Sequence, residues 1–218
     1  MHIQLDYTPR KHQAELHNLL DKHRFAVLNC HRRFGKTVCI LNHLIKSALT
    51  NPLPNPRYAY VAPTYKQAKS IAFDYIKQFT AKIPGTRITL LSGEAGDSLR
   101  GLFLDGVCID ETAQIEPSLW NEILRPALSD RKGFCYFIGT PAGMQNFFYD
   151  IYQYAMSDPK WLAYTAPVSR TKIIDQEELD AAAAQMGVSK YKQEFECDWI
   201  ANIEGSLYGN IIKNLEQK

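Results

Sequence analysis

The chain has 218 residues, 45% hydrophobic and 22% charged, with a formal net charge of +2. That length allows one large domain, or one domain with a short appendage, and the composition excludes intrinsic disorder. A net charge this small does not by itself announce a nucleic-acid partner. In chain order, strands are predicted over 25–30, 58–62, 87–91, 104–110, 134–139 and 161–167. Helices are predicted over 35–50, 64–82, 117–128, 146–157, 175–186 and 189–198. Strands alternating with helices predict a mostly parallel sheet covered on both faces.

Charge is unevenly placed. Residues 1–50 carry eight Lys/Arg against three Asp/Glu, and residues 175–198 carry seven acids against two lysines. This asymmetry reads either as a basic binding face or as solvated faces and helix caps. The five cysteines, Cys30, Cys39, Cys108, Cys135 and Cys197, form no C-x-x-C pair and suit a reducing compartment. The N-terminal residues lack the apolar core of a signal peptide. No apolar run approaches the ~18 residues that span a bilayer, so no membrane partner is expected.

Cys30-His-Arg-Arg-Phe-Gly-Lys-Thr37 lies between a predicted buried strand and a predicted helix. That is the setting of a phosphate-binding loop, the Walker A motif. Loop amides and a helix N-terminus offer donors and a positive dipole to phosphate. Lys36 is expected on the terminal phosphates of ATP and the Thr37 hydroxyl on Mg²⁺, while Gly35 allows close backbone approach. The motif's usual first glycine is Cys30 here. Residues 30–37 (Cys30, His31, Arg32, Arg33, Phe34, Gly35, Lys36 and Thr37) are the candidate nucleotide contacts. Arg32 is read either as a γ-phosphate sensor or as an exposed arginine on a turn. Arg33 carries no assigned role.

Gly106-Val-Cys-Ile-Asp-Glu111 is an apolar run ending in two carboxylates, the Walker B pattern. Hydrolysis needs one acid near the metal and one to orient or deprotonate water. Asp110 is the candidate for Mg²⁺ and Glu111 for the base. Gln13 is a candidate for adenine, because its amide can both donate and accept; the alternative is an exposed helix glutamine. Thr140, in Gly139-Thr-Pro141 at a strand end, is a candidate coupling residue or simply part of a turn. His12, His17 and His23 are spaced five and six apart and do not stack on one helical face, so no metal site is expected there.

The ordered set Pro9…Gln13, Arg32-Arg33-Phe-Gly-Lys-Thr37, Ala62-Pro63-Thr64…Gln67-Ala68, Leu99-Arg100-Gly101, Asp110-Glu111, Arg125-Pro126…Gly133 and Ile138-Gly-Thr-Pro-Ala-Gly143 resembles the large terminase subunits of tailed bacteriophages. The resemblance spans roughly residues 7–208. It implies a RecA-like, additional-strand P-loop NTPase with a catalytic glutamate and a small helical lid or linker over about 150–205. Arg32 would be the loop arginine, Thr140 the coupling residue and Arg100 an arginine reaching a neighbouring subunit's ATP. The implied activity is ATP hydrolysis driving double-stranded DNA into a procapsid in the host cytoplasm. The partners implied are the portal protein, the small terminase subunit and further copies of the chain in a ring, with isolated chains expected to be monomeric. Residues 206–218 match the start of a linker to that family's nuclease half. Only the acid Glu216 follows Tyr208, so no two-metal nuclease is expected from this chain. The alternatives are a helicase-like ATPase that needs a partner chain, and a nucleotide-binding assembly module without catalysis.

Overall fold

A computed structural model describes residues 6–80, 87–94, 101 and 103–200. Six strands form one sheet: β1 (Phe25–Cys30), β2 (Arg57–Ala62), β3 (Arg87–Ser92), β4 (Gly106–Ile109), β5 (Phe134–Gly139) and β6 (Trp161–Ala166). Their order is β3-β2-β4-β5-β1-β6, and every adjacent pair is parallel. The mostly parallel sheet expected from the alternation is therefore wholly parallel. β5 stands between β1 and β4, which is the additional strand of RecA-like P-loop NTPases. All six carboxyl ends share one edge, where open α/β sheets bind their ligands.

β1 is buried along its whole length. Ala26, Leu28 and Cys30 face one layer and Phe25 and Val27 the other, as a period of two requires. The first layer is covered by α1 (Lys11–Leu20), α2 (Lys36–Thr50) and a long helical run, α3, composed of Tyr65–Ala68, a wider turn at Lys69–Phe73 and Asp74–Thr80. Thr64 caps that run by accepting the amide of Gln67. The opposite layer is covered by α4 (Leu119–Leu124 and Arg125–Ala127) and α5 (Phe147–Ser157). Asn146 caps α5 through the amide of Tyr149. Phe147 and Phe148 are buried, and Trp199 packs on Phe148, Tyr149 and Tyr152.

Three short helices follow β6: α6 (Val168–Thr171), α7 (Gln176–Met186) and α8 (Val188–Phe195). They carry their own small core of Val168, Leu179 and Phe195. α1 was not read as an element from the sequence. It buries only Gln13, Leu16 and Leu20, too sparse an apolar stripe to stand out.

The Arg125–Gly133 stretch serves the fold, at the sheet edge opposite the strands' carboxyl ends. Arg131 pairs with buried Asp105 at 3.1 Å. A Cβ on Gly133 would lie 2.4 Å from the carbonyl oxygen of Leu104, so only glycine fits there. The five cysteines are free and buried.

Candidate nucleotide site

The loop joining β1 to α2 makes its turn at Arg33 and Gly35, which have left-handed φ of 69° and 84°. Gly35 is the N-cap of α2 and no side chain caps that helix. The amides of its first turn, at Lys36, Thr37 and Val38, have no carbonyl within the helix to bond to and form an anion-binding end. At Gly35 the φ of 84° favours glycine, and a Cβ there would also push the Gln13 Nε2, 2.8 Å away, off its place. Cys30 is the last residue of β1 and wholly buried. Position 30 is strand rather than turn, which explains why the motif's first glycine is dispensable here.

Loop residues divide by direction. Arg32, Arg33, Gly35, Lys36 and Thr37 line a cleft of about 500 Å³, with Asp110, Glu111, Thr140 and Glu194 facing them. That volume is in the range of small-ligand sites. The Lys36 ammonium donates to the carbonyls of Cys30 and His31 at 2.8 and 3.1 Å. The side chains of Cys30, His31 and Phe34 are buried outside the cleft lining. His31 Nε2 meets the Thr171 hydroxyl at 2.8 Å, and burial lowers its pKa to about 4, so it is neutral. Contact between these three residues and a phosphate is therefore left to the main chain.

Asp110 is buried at the end of β4. Its Oδ2 accepts from the Thr37 hydroxyl at 3.1 Å and from the Tyr60 hydroxyl, and its Oδ1 accepts the Glu111 amide at 2.8 Å. Tyr60 reaches it from β2 and was not singled out by sequence reasoning. Its only trace there is a tyrosine inside a buried run. A hydroxyl and a carboxylate oxygen already side by side suit a hard divalent cation that keeps its waters and its phosphate ligands. Among the described residues no group of three or more His, Cys, Asp or Glu could hold a metal by itself.

Glu111 has φ 50° and ψ 43°, a left-handed conformation rare for a residue with a side chain. Such local strain clusters at functional sites. Burial raises its carboxyl pKa above the ordinary value, and Asp110 and Glu194 add to that, opposed by Lys36 and Arg32.

Gln13 does not line the cleft. Its Oε1 accepts the Arg10 amide at 2.9 Å and its Nε2 donates to the Gly35 carbonyl at 3.2 Å. The carboxamide expected to meet adenine is engaged in bracing the loop. Arg100 lies outside the described residues. Glu194, which sequence reasoning read only as part of an acidic stretch, enters the cleft from α8.

A six-stranded, additional-strand P-loop NTPase fold with these residues at its carboxyl edge defines the class. Among curated proteins, the chain is 28% identical over 182 residues to the terminase large subunit of Thermus virus P23-45, and equally to that of Thermus phage G20c. Each match covers 68% of this chain and 36% of the relative. The chain therefore spans about a third of the length of these relatives. Among solved structures, the large terminase ATPase domain of Thermus phage P74-26 superposes with a TM-score of 0.74 at 21% identity, covering 89% of this chain and 95% of that one. The large terminase of the thermophilic bacteriophage D6E, solved with ATP-gamma-S, gives 0.72 at 14% identity over 87% of this chain and 52% of that one. No protein-family model matches the chain. The resemblance read from the motifs is borne out, in sequence by terminase large subunits and in fold by their ATPase domains. No helix among the described residues is long and apolar enough to cross a membrane.

Proposed function

We propose that the chain is the ATP-hydrolysing motor domain of a terminase large subunit. It would drive double-stranded viral DNA through a portal protein into a procapsid, in the host cytoplasm. The observation that carries this reading is the meeting, at one sheet edge, of an uncapped α2 N-terminus, the Thr37–Asp110 pair and the strained Glu111.

Lys36 and the first-turn amides of α2 bind and orient the phosphates. Thr37 and Asp110 would hold Mg²⁺, which would supply positive charge against the phosphates. Glu111 takes the proton of the attacking water; its raised pKa makes it a stronger base than an ordinary glutamate. Arg32 meets the γ-phosphate. Thr140, at the end of β5 and in the cleft wall, relays phosphate state. Arg100 acts on a neighbouring chain's ATP within a ring on the portal, to which the small terminase subunit brings DNA. In isolation the chain is a monomer that turns over slowly.

The test is ATP turnover by the purified chain, alone and with double-stranded DNA and portal protein. Turnover stimulated by both supports the motor. Stimulation by DNA alone fits a helicase-like ATPase, and nucleotide binding without turnover fits an assembly module. Lys36→Ala is the control and loses turnover, because a point charge on the terminal phosphates is gone.

A further inference from the structure

One part of the cleft wall has no use in the chemistry of the phosphates. Its lining side chains are mostly charged, or are the hydroxyls of Thr37 and Thr140, but Val38, Ile71 and Tyr75 present apolar surface. With Lys36 on the β- and γ-phosphates, the α-phosphate and the nucleoside attached to it fall toward the later amides of the loop, at Val38. The apolar wall therefore stands where a base arrives.

Ile71 and Tyr75 both reach the cleft from α3. That helix widens over Lys69–Phe73, around Ile71, and such wide turns are frequent at functional sites. Ile71 is half-buried against the core. The Tyr75 side chain is 39% exposed, and Phe79 lies parallel to its ring, with centroids 6.4 Å apart and planes within 9°. Phe79 in turn meets Tyr7 edge to face at 6.1 Å. An accessible aromatic ring held by its neighbours is a stacking surface for a base.

Reading the edge of a base takes a different kind of group. None of the described residues that line the cleft is Asn or Gln. Gln13 is buried, and both ends of its carboxamide are committed, to the Arg10 amide and the Gly35 carbonyl. A pocket that holds its ligand by apolar contact discriminates weakly between ligands of similar shape, whereas hydrogen bonds to the distinguishing groups discriminate strongly.

We propose that Tyr75, with Ile71 and Val38, holds the nucleotide base by stacking, and that the chain accordingly accepts purine nucleoside triphosphates as a class, GTP as well as ATP. This rests on the ATPase reading above. It moves base binding from Gln13 on α1 to Tyr75 on α3.

Calorimetric titration of the full chain with the β,γ-imido analogues of ATP and GTP, and with base-free tripolyphosphate, all in Mg²⁺, tests it. The two analogues are expected to bind within about tenfold of one another. Tyr75→Ala is expected to bind both about tenfold more weakly, within the range for one ring stacked on one base, and to leave tripolyphosphate binding unchanged. Tyr75→Phe, which keeps the ring, binds both like wild type. A preference above about tenfold for either purine overturns the proposal, as does nucleotide binding that Tyr75→Ala leaves unchanged. A loss in Tyr75→Phe as large as that in Tyr75→Ala, or a Tyr75→Ala loss shared equally by tripolyphosphate, also overturns it. Wild type that binds neither analogue better than Lys36→Ala overturns the ATPase reading itself, and this inference with it.

Discussion

Thr37 donates through Oγ1 to Oδ2 of Asp110 across 3.1 Å, joining the first turn of α2 to the residue that follows β4. The two positions are 73 residues apart, and the chain passes through β2, β3 and β4 between them. The same Oδ2 is held from a third element, β2, by Tyr60. Oxygen donors for a cation are thus pre-aligned by the sheet rather than by a flexible loop.

Tyr60→Phe removes that hydroxyl and little volume. Supporting hydrogen bonds behind a metal ligand are typically worth roughly 10–100-fold in affinity or activity. The Mg²⁺ concentration for half-maximal ATP turnover is expected to rise about tenfold, with the fold intact by circular dichroism. An unchanged Mg²⁺ midpoint would show that Asp110 does not depend on Tyr60.

Glu111→Gln is expected to bind Mg²⁺-nucleotide and to hydrolyse it on the order of 10²–10⁴-fold more slowly, the usual loss of a positioned base. In wild type, the acid limb of the pH profile of kcat/KM, which reports the free enzyme, has its midpoint above the ordinary glutamate value, because burial and Asp110 disfavour the charged form. Stability carries the opposite sign. A carboxyl raised on folding costs stability once pH exceeds its unfolded value, fully so above its folded value. Glu111→Gln therefore melts higher than wild type at pH 7, and that gain fades as pH falls toward the unfolded value. Equal melting temperatures at pH 7 would mean that Glu111 is not held against its charge.

Between α1 and α2, His17 and His43 stack with ring centroids 5.3 Å apart and Nδ1 atoms 3.0 Å apart. Burial lowers their pKa values to about 4 and about 3. Each is neutral when folded and ordinary when unfolded, so protons favour the unfolded chain below about pH 6.5. Stability is expected to fall from about pH 6.5 down through the folded values, read as urea midpoints at pH 7 and pH 4.5. A His17→Asn/His43→Asn chain is less stable at pH 7 and has a flatter pH dependence. A midpoint independent of pH in wild type contradicts the assignment.

Arg100 carries the proposed contact between subunits. Asp105, five residues further along the sequence, is taken by Arg131 and the Arg57 amide. Arg100→Ala should bind ATP normally and lose assembly-stimulated hydrolysis, for which arginine fingers contribute roughly 10³–10⁵. Mixed with Glu111→Gln chains, which are inactive alone, it should recover activity. Mixtures no better than the separate proteins, under conditions that stimulate wild type, would exclude action in trans.

The parts of the site legible in the sequence are those made by contiguous residues. A buried strand, Gly35-Lys-Thr37 and a helix spell the phosphate loop, and an apolar run into Asp110-Glu111 spells the acids. Tyr60, Gln193 and Glu194 were not legible, because their roles come from strand order and from how α8 docks, and neither leaves a local pattern. Gln13 shows the reverse. Its position before the loop is visible, but which groups its amide meets is decided by Gly35 approaching within hydrogen-bonding distance. The helix α1 that carries it went unread, since three buried positions in ten residues give too weak a period.

Three hydrogen bonds over residues 193–197 reach the phosphate loop at Arg32, the turn after β5 at Pro141 and the sheet's interior at Asn29. A helix fastened at one point would pivot. Fastened at Gln193 and Glu194, and at Cys197 just past its end, it resists pivoting. Small movements of the phosphate loop are then passed as rigid-body displacement to the chain leaving at 198–200, where Trp199 is wedged against α5. In mechanical terms, this end of the domain is a stiff lever whose fulcrum is β1.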